Sequence, residues 1–476
     1  MPCALRPFVL GCERHPEGLS ALVRSPAPTP SRRRPHRRRV RSHLSRGRLS
    51  DARGTGVLVP APRWEVDDEP RLGVSHVLGR MGDAPRRGMM AREHLHARAD
   101  GAWRDPRAVA MLWPDASGID ERLLRHRTRG RFWETLAETA VTLLVTREYE
   151  HLLVALHAGA TEPIVSYLPL PHPSGIAVDR LRGVVHVAST RNPNQVHDLV
   201  PAVAAPRDVG EPPVRLAARP LVPVRTRMLP GGTYLHDLAM VGGVLHGNAV
   251  GKNAVVRLED DGTATPVWWP RCVERRGGAR LDRNYLQLNS IAAGATVRDS
   301  FFSASADVVG RVRPGDPAFR VDRRGVIFSG RTREPVVRGL TRPHSARLRR
   351  EALWVDNSGY GEVGICHGGR LEPVARPGGW TRGLAFAGGV LFVGTSHVLP
   401  RFRQYAPGLD PDRCTCGVHA LDAKTGRTLG SLVWPTGNQV FAVEAVPSAW
   451  TAGLPIVLGR RRSEWERGLF YGFVTE

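Results

Sequence analysis

The chain has 476 residues, a formal charge of +23 and six cysteines. Of its 68 basic residues all but Lys252 and Lys424 are arginine, and no recognition-helix, zinc-finger or RNA-binding signature accompanies them, so the charge alone does not make a nucleic-acid-binding protein. The cysteines lack the spacing of a disulfide framework, and nowhere do about 18 consecutive apolar residues occur, which argues against a membrane-spanning helix.

Residues 1–110 hold 22 arginines against 11 acidic residues and run through Ser31-Arg32-Arg33-Arg34-Pro35-His36-Arg37-Arg38-Arg39. No helical or strand period is sustained there, and too little apolar surface is present to offset the entropy of ordering. A disordered Arg/Pro-rich extension is expected. A start at Met89, Met90 or Met111 is an alternative reading, and a basic arm that carries the chain to nucleic acid is a third. The opening Met1-Pro2-Cys3-Ala4-Leu5-Arg6 lacks the apolar run of a secretory signal, which, with the scattered thiols, suggests a cytoplasmic chain.

Residues 111–138 read as a short helical lead-in, with Leu123, Leu124, Phe132, Trp133 and Leu136 set among Arg and Glu. Two β-rich runs follow, residues 140–146 and 151–156, joined by a polar Arg147-Glu148-Tyr149-Glu150 turn. Beyond them the chain repeats. Gly175-Ile176-Ala177, Asp237-Leu238-Ala239, Ser290-Ile291-Ala292, His344-Ser345-Ala346, Gly383-Leu384-Ala385 and Ala442-Val443-Glu444 each precede a second apolar run, and they recur roughly every 53 residues. That period, filled with short strands and Gly-rich turns, predicts an all-β fold over residues 139–476: a β-propeller of about six blades. The innermost strands of all blades converge on one axis, where large side chains would collide, which explains the small third residue. A sandwich, the competing all-β fold, gives no such column. The strand pair at 140–156 is expected to be an outer contribution to the last blade that closes the ring.

From about Phe132 onward the chain resembles a bacterial family of conserved hypothetical, propeller-like proteins of unknown function. The resemblance rests on His236-Asp237-Leu238-Ala239, Leu288-Asn289-Ser290-Ile291-Ala292, Pro343-His344-Ser345, Asn357-Ser358-Gly359-Tyr360-Gly361-Glu362 and Arg382-Gly383-Leu384-Ala385-Phe386. It implies a fold and no activity. The chain departs from the family pattern at Gln287, where a histidine is usual, and at Ala442, where an acidic residue is.

The start of each inner strand faces the channel mouth, where polar residues are costly without partners. His236, Asp237, Asn289, Ser290, His344 and Arg382 fall there, with Asn357 and Glu362 on the neighbouring turn. Asp237 and Glu362 offer oxygens suited to a divalent metal, and His236 or His344 could add nitrogen. Arg382 and the histidines would equally suit an anion. The competing reading is that these side chains tie blades together by bonding backbone at strand starts. Two functions follow: a propeller that binds a small ligand or a protein partner at its channel mouth, or a metal-dependent hydrolase or lyase at the same place. His186 and His246 read as packed core groups, and Cys366, Cys414 and Cys416 as ordinary thiols. Dinucleotide, phosphate-loop, serine-hydrolase and common metalloprotease motifs are absent from the sequence.

Overall fold

The computed structural model describes residues 119–191, 194–205, 214–229, 231–459 and 474–475; the extension expected over residues 1–110 lies outside them. The described residues form six antiparallel blades of four to six strands. Their innermost strands, in ring order, are Pro173–Asp179, Leu235–Val241, Leu288–Ala292, Pro343–Arg349, Trp380–Ala387 and Ala442–Pro447, here blades 1 to 6. Each inner strand lies against that of the next blade, and blade 6 returns to blade 1. Tight hairpins come where the sequence supplies glycine pairs: Gly242-Gly243 and Gly368-Gly369 all have positive φ, as a two-residue hairpin turn that matches strand twist requires. No helix among the described residues is long and apolar enough to cross a membrane.

Blade 6 joins the two ends of the fold. Its inner strand comes from the C-terminal part, and its second strand is Val141–Arg147, paired from Val141 opposite Pro447 to Thr146 opposite Ala442. Thr146 is fully buried; its Oγ1 donates to the Ser174 carbonyl of blade 1 at 2.6 Å and accepts the Ala442 N–H at 3.0 Å. One hydroxyl thus joins both ends of the ring. The lead-in is shorter than its helical pattern suggests: the helix covers Phe132–Glu138, while Arg127–Gly130 is a strand on the outer edge of blade 5. That edge offers unpaired backbone groups, which override a weak helix propensity.

Around the axis the blades can be aligned by their ladder registers. Ala177, Ala239, Ala292 and Ala385 share one level, but blade 4 places Arg347 there and blade 6 Glu444. The true fourth triplet is Ser345-Ala346-Arg347, one residue beyond the expected His344-Ser345-Ala346. The alanine that marked the repeat is packed in the core, and the axial position holds an arginine, because the small residues around it leave room for a long side chain.

Thr146→Val keeps the side-chain shape, removes both hydrogen bonds and leaves the Ala442 N–H without this acceptor. A loss of about 1–3 kcal/mol in unfolding free energy is expected. Denaturant titration should show a lower midpoint at constant slope; an unchanged midpoint would mean the hydroxyl adds nothing to ring closure.

Candidate functional site

Inner strands of blades 1 to 5 each carry a β-bulge near their start, for example between Leu235 and Leu238 and between His344 and Arg347. A bulge re-aims side chains locally. Here the residues placed just before the axial tie are Ser174, His236, Asn289, His344, Arg382 and Phe441, and all but Ser174 line a cavity of about 350 Å³. Two positions earlier, Tyr234, Gln287 and Arg342 also line it, each with φ near +50°. Non-glycine residues rarely adopt that conformation, and His172 of blade 1, with φ +43°, shares it, so its recurrence at one place in four blades marks a turn imposed by the surroundings. The cavity rim comes from the connections between second and third strands: Glu148 and Tyr149 in blade 6, Thr190 and Arg191 in blade 1, Phe402 and Tyr405 in blade 5.

Two guanidiniums dominate the electrostatics, that of Arg342 buried and that of Arg382 half-buried. Arg382 lies over the rings of Trp380, at 4.2 Å, and Phe441, at 5.1 Å, and its Nε–H has no acceptor. With the Gln439 amide turned to satisfy both neighbours, Arg382 Nη1 donates to its oxygen at 2.7 Å and its nitrogen donates to Glu148 Oε2 at 3.2 Å. Arg342 stacks on Tyr405 at 3.7 Å and donates to Gln287 Oε1, to Ser305 Oγ at 3.3 Å and to the Pro314 carbonyl at 2.6 Å, all neutral acceptors. Burial brings the Arg342 guanidinium down to about 10, still charged at neutral pH. Glu148 accepts from Thr190 Oγ1 at 2.6 Å and lies 3.8 Å from Arg191 Nε. Burial pushes its carboxyl up, towards the neutral acid.

The histidines are uncharged partners of this pair. Burial, then Arg382, pulls His236 down to about 3, and the same two causes hold His344 well below the usual imidazole range. Their rings are 6.3 Å apart and both meet Phe441 edge-on. His344 Nδ1 sits 2.9 Å from Ser345 Oγ, while His344 Nε2 and His236 Nδ1 are buried without a partner.

Four of the eight expected site residues, His236, Asn289, His344 and Arg382, come together at this cavity. Asp237 and Ser290 stand one step deeper and join blades. Asp237 accepts the Ile291 N–H at 3.0 Å and the Arg347 guanidinium at 2.8 and 3.3 Å; Ser290 Oγ accepts the Ala346 N–H at 2.8 Å. Asn357 and Glu362 form a separate cluster in blade 4, bonded to each other at 2.8 Å, with Asn357 also taking the Thr341 N–H and Glu362 bound by Arg376. Asp237 and Glu362 therefore each face an arginine, and among the described residues no group of three or more His, Cys, Asp or Glu is arranged to hold a metal. His246 is buried and bonds its own strand through the Val244 carbonyl; His186 is buried but polar in its contacts, 2.6 Å from Asp198, which Arg225 and Arg227 also bind. Glu148, Arg191, Arg342, Phe402 and Tyr405 were missed from sequence. Only Arg342 had a usable signal, since it immediately precedes Pro343-His344 as Tyr234 precedes Leu235-His236.

Residues 130–454 match a family model described as Domain of unknown function (DUF4915). Among solved structures, a chain of the nidogen/laminin complex is 12% identical with a TM-score of 0.41, covering 65% of this chain and 99% of that one. A gluconolactonase from Xanthomonas campestris is 17% identical with a TM-score of 0.34, covering 56% and 77%. A virginiamycin B lyase from Staphylococcus aureus is 11% identical with a TM-score of 0.33, covering 65% and 99%. No curated protein matches the chain.

Two predictions follow from these contacts. Asp237→Ala leaves Arg347, whose side chain is 17% exposed, without its carboxylate and should cost about 3 kcal/mol of folding stability, the low end for a buried pair; a variant as stable as the parent in denaturant would show that Arg347 finds equal partners elsewhere. Asp356 stands in blade 4 where blade 2 has Asn248, which donates to the Leu288 carbonyl of the next blade. Both Asp356 carboxyl oxygens are buried without a well-formed hydrogen bond, and burial pushes the group well above the usual carboxyl range. Because its folded value is raised, its contribution is full below the unfolded carboxyl pKa and is lost as pH rises through the folded one. The melting temperature should therefore fall on going alkaline, and Asp356→Asn should flatten that fall; an equally steep fall in the variant would assign the effect to other groups.

Proposed function

For a chain that belongs to the family described as Domain of unknown function (DUF4915), we propose that the propeller binds a small organic anion in the cup at its channel mouth. One observation carries this reading: Arg342, buried, and Arg382, half-buried, stand at the cavity wall among neutral acceptors, and the neighbouring carboxyl, Glu148, is pushed towards its uncharged form. A buried cation without a counter-charge is costly, and an anion entering the cup supplies that charge. Charge-assisted bonds from guanidinium are short and directional, so a carboxylate suits the Arg382 guanidinium that lines the cup. The neutral histidines add N–H donors or lone pairs without adding charge.

The competing reading, a metal-dependent hydrolase or lyase, draws less support. The metal-binding side chains lining the cup are His236, His344 and Glu148, and a dication there would be repelled by the guanidiniums beside it. Isothermal titration with benzoate distinguishes the two. Arg382→Gln should weaken benzoate binding by at least about ten-fold, the loss of roughly one charge-assisted bond. Stoichiometric uptake of a divalent metal with no response to any carboxylate would overturn the anion reading.

Binding should also depend on pH with a definite sign. As pH rises through the raised Glu148 value, the carboxylate that forms repels the bound anion, so affinity should decrease. Glu148→Gln should remove that decrease. Titrations repeated from acid to alkaline buffer would show it, and an affinity that rises with pH would contradict the assignment.

A further inference from the structure

The cup is asymmetric in its chemistry. On one side stands a wall of rings: Phe402 lies nearly parallel to Tyr405 at 5.7 Å and 26°, nearly parallel to Tyr149 at 6.2 Å and 20°, and tilted on Trp380 at 5.6 Å. Phe402 and Tyr405 come from the long connection over residues 397–416 of blade 5; the corresponding connections in blades 1, 2, 4 and 6 are only a few residues long. This insertion has a small core of its own, Trp380, Val398, Ala406 and Cys414, against which Phe402, Tyr405 and Leu409 pack. It is also fastened to blade 4, where the Gly408 N–H donates to the Gly359 carbonyl at 3.0 Å and Gly408 lies against the Tyr360 ring. The wall is therefore built in place before any ligand arrives, as specific sites usually are.

The wall also runs into the two cations. Tyr405 carries Arg342 on its face and Trp380 carries Arg382 on its face. A ligand whose charged end meets Arg382 thus has the rest of its body against Phe402 and Tyr405. Beside these rings the cup presents the guanidiniums of Arg191, Arg342 and Arg382. A flat aromatic body gains by stacking on the wall while its acid group meets a guanidinium.

Resting on the reading of the cup as an anion site, we infer that its ligand class is the aromatic carboxylate, with the blade 5 insertion, through Phe402 and Tyr405, selecting the ring and Arg382 receiving the carboxylate. A cavity of about 350 Å³ suits one or two fused rings with a short acid arm.

The test is isothermal titration of the full chain with four probes: 2-naphthoate, acetate, glucuronate and inorganic phosphate. Naphthoate is expected to bind at least about ten-fold more tightly than acetate, with glucuronate no better than acetate. Phe402→Leu, whose folding is checked by its thermal transition, should reduce the naphthoate-to-acetate ratio by about ten-fold, since the apolar volume remains and the stacking surface is lost. Glucuronate or phosphate binding as tightly as naphthoate would overturn the aromatic selection while leaving the anion site standing. An unchanged ratio in Phe402→Leu would overturn the role of the wall. Absence of binding by all four probes would remove both this inference and the anion reading beneath it.

Discussion

Six inner strands must pass close together around one axis, and the rest of the structure follows from that constraint. A Cβ on Gly175 would collide with the backbone of Asp237, and one on Gly383 with the backbone of Val443. Blade-to-blade contact at this level is backbone against backbone, so side chains small enough to fit, or polar enough to bond the facing N–H, are the ones the chain can use. Asp237, Ser290 and Ser345 each accept an N–H of the next blade: Ile291, Ala346 and Gly383 in turn. Burial makes such bonds necessary, because an unmet amide near the axis has no water to turn to.

The same packing creates the cup. Bulges at the inner-strand starts place consecutive residues on the axial side, one level for ties and the level above it for side chains that enclose the cavity. The level below is sealed by charge: Arg347 occupies a ring whose other positions are four alanines and Glu444, and it is held by Asp237 and attracted by Glu444, a carboxyl that burial pushes up. Arg347 also donates to the carbonyls of Ile291 and Ala346, so the arginine helps to tie three blades. The cup and this ionic seal are products of one geometry, in which small residues on four blades make space for long ones on the other two.

Within the cup, burial decides what each ionisable group does. Histidines that would be half charged in solution are neutral here, and a carboxyl that would be ionised is held towards its acid. The arginines stay charged because guanidinium is the one group whose intrinsic basicity survives such burial. Their aromatic faces, Tyr405, Trp380 and Phe441, compensate part of the desolvation through the ring quadrupole. The consequence is a cavity with a net positive character that does not depend on histidine protonation.

The sequence by itself determined the repeat, the ring and the closing of blade 6, because each strand's apolar run and each glycine turn is a local feature that recurs at a readable interval. It also placed four residues of the cup, since His236, Asn289, His344 and Arg382 hold equivalent places in their repeats. It misplaced one register, at blade 4, because the alanine used as a marker there is a core residue and the axial position belongs to Arg347. Only the tertiary structure decided which polar residues bond backbone and which face the cavity. Asp237 and His236 are neighbours in the chain, and a bulge sends one to an arginine and the other to the cup. Glu148, Arg191, Phe402 and Tyr405 lie on connections of unrelated length and composition, so no period links them. They meet because the ring brings the same edge of every blade to one mouth, a relation between parts distant in sequence that no local pattern encodes.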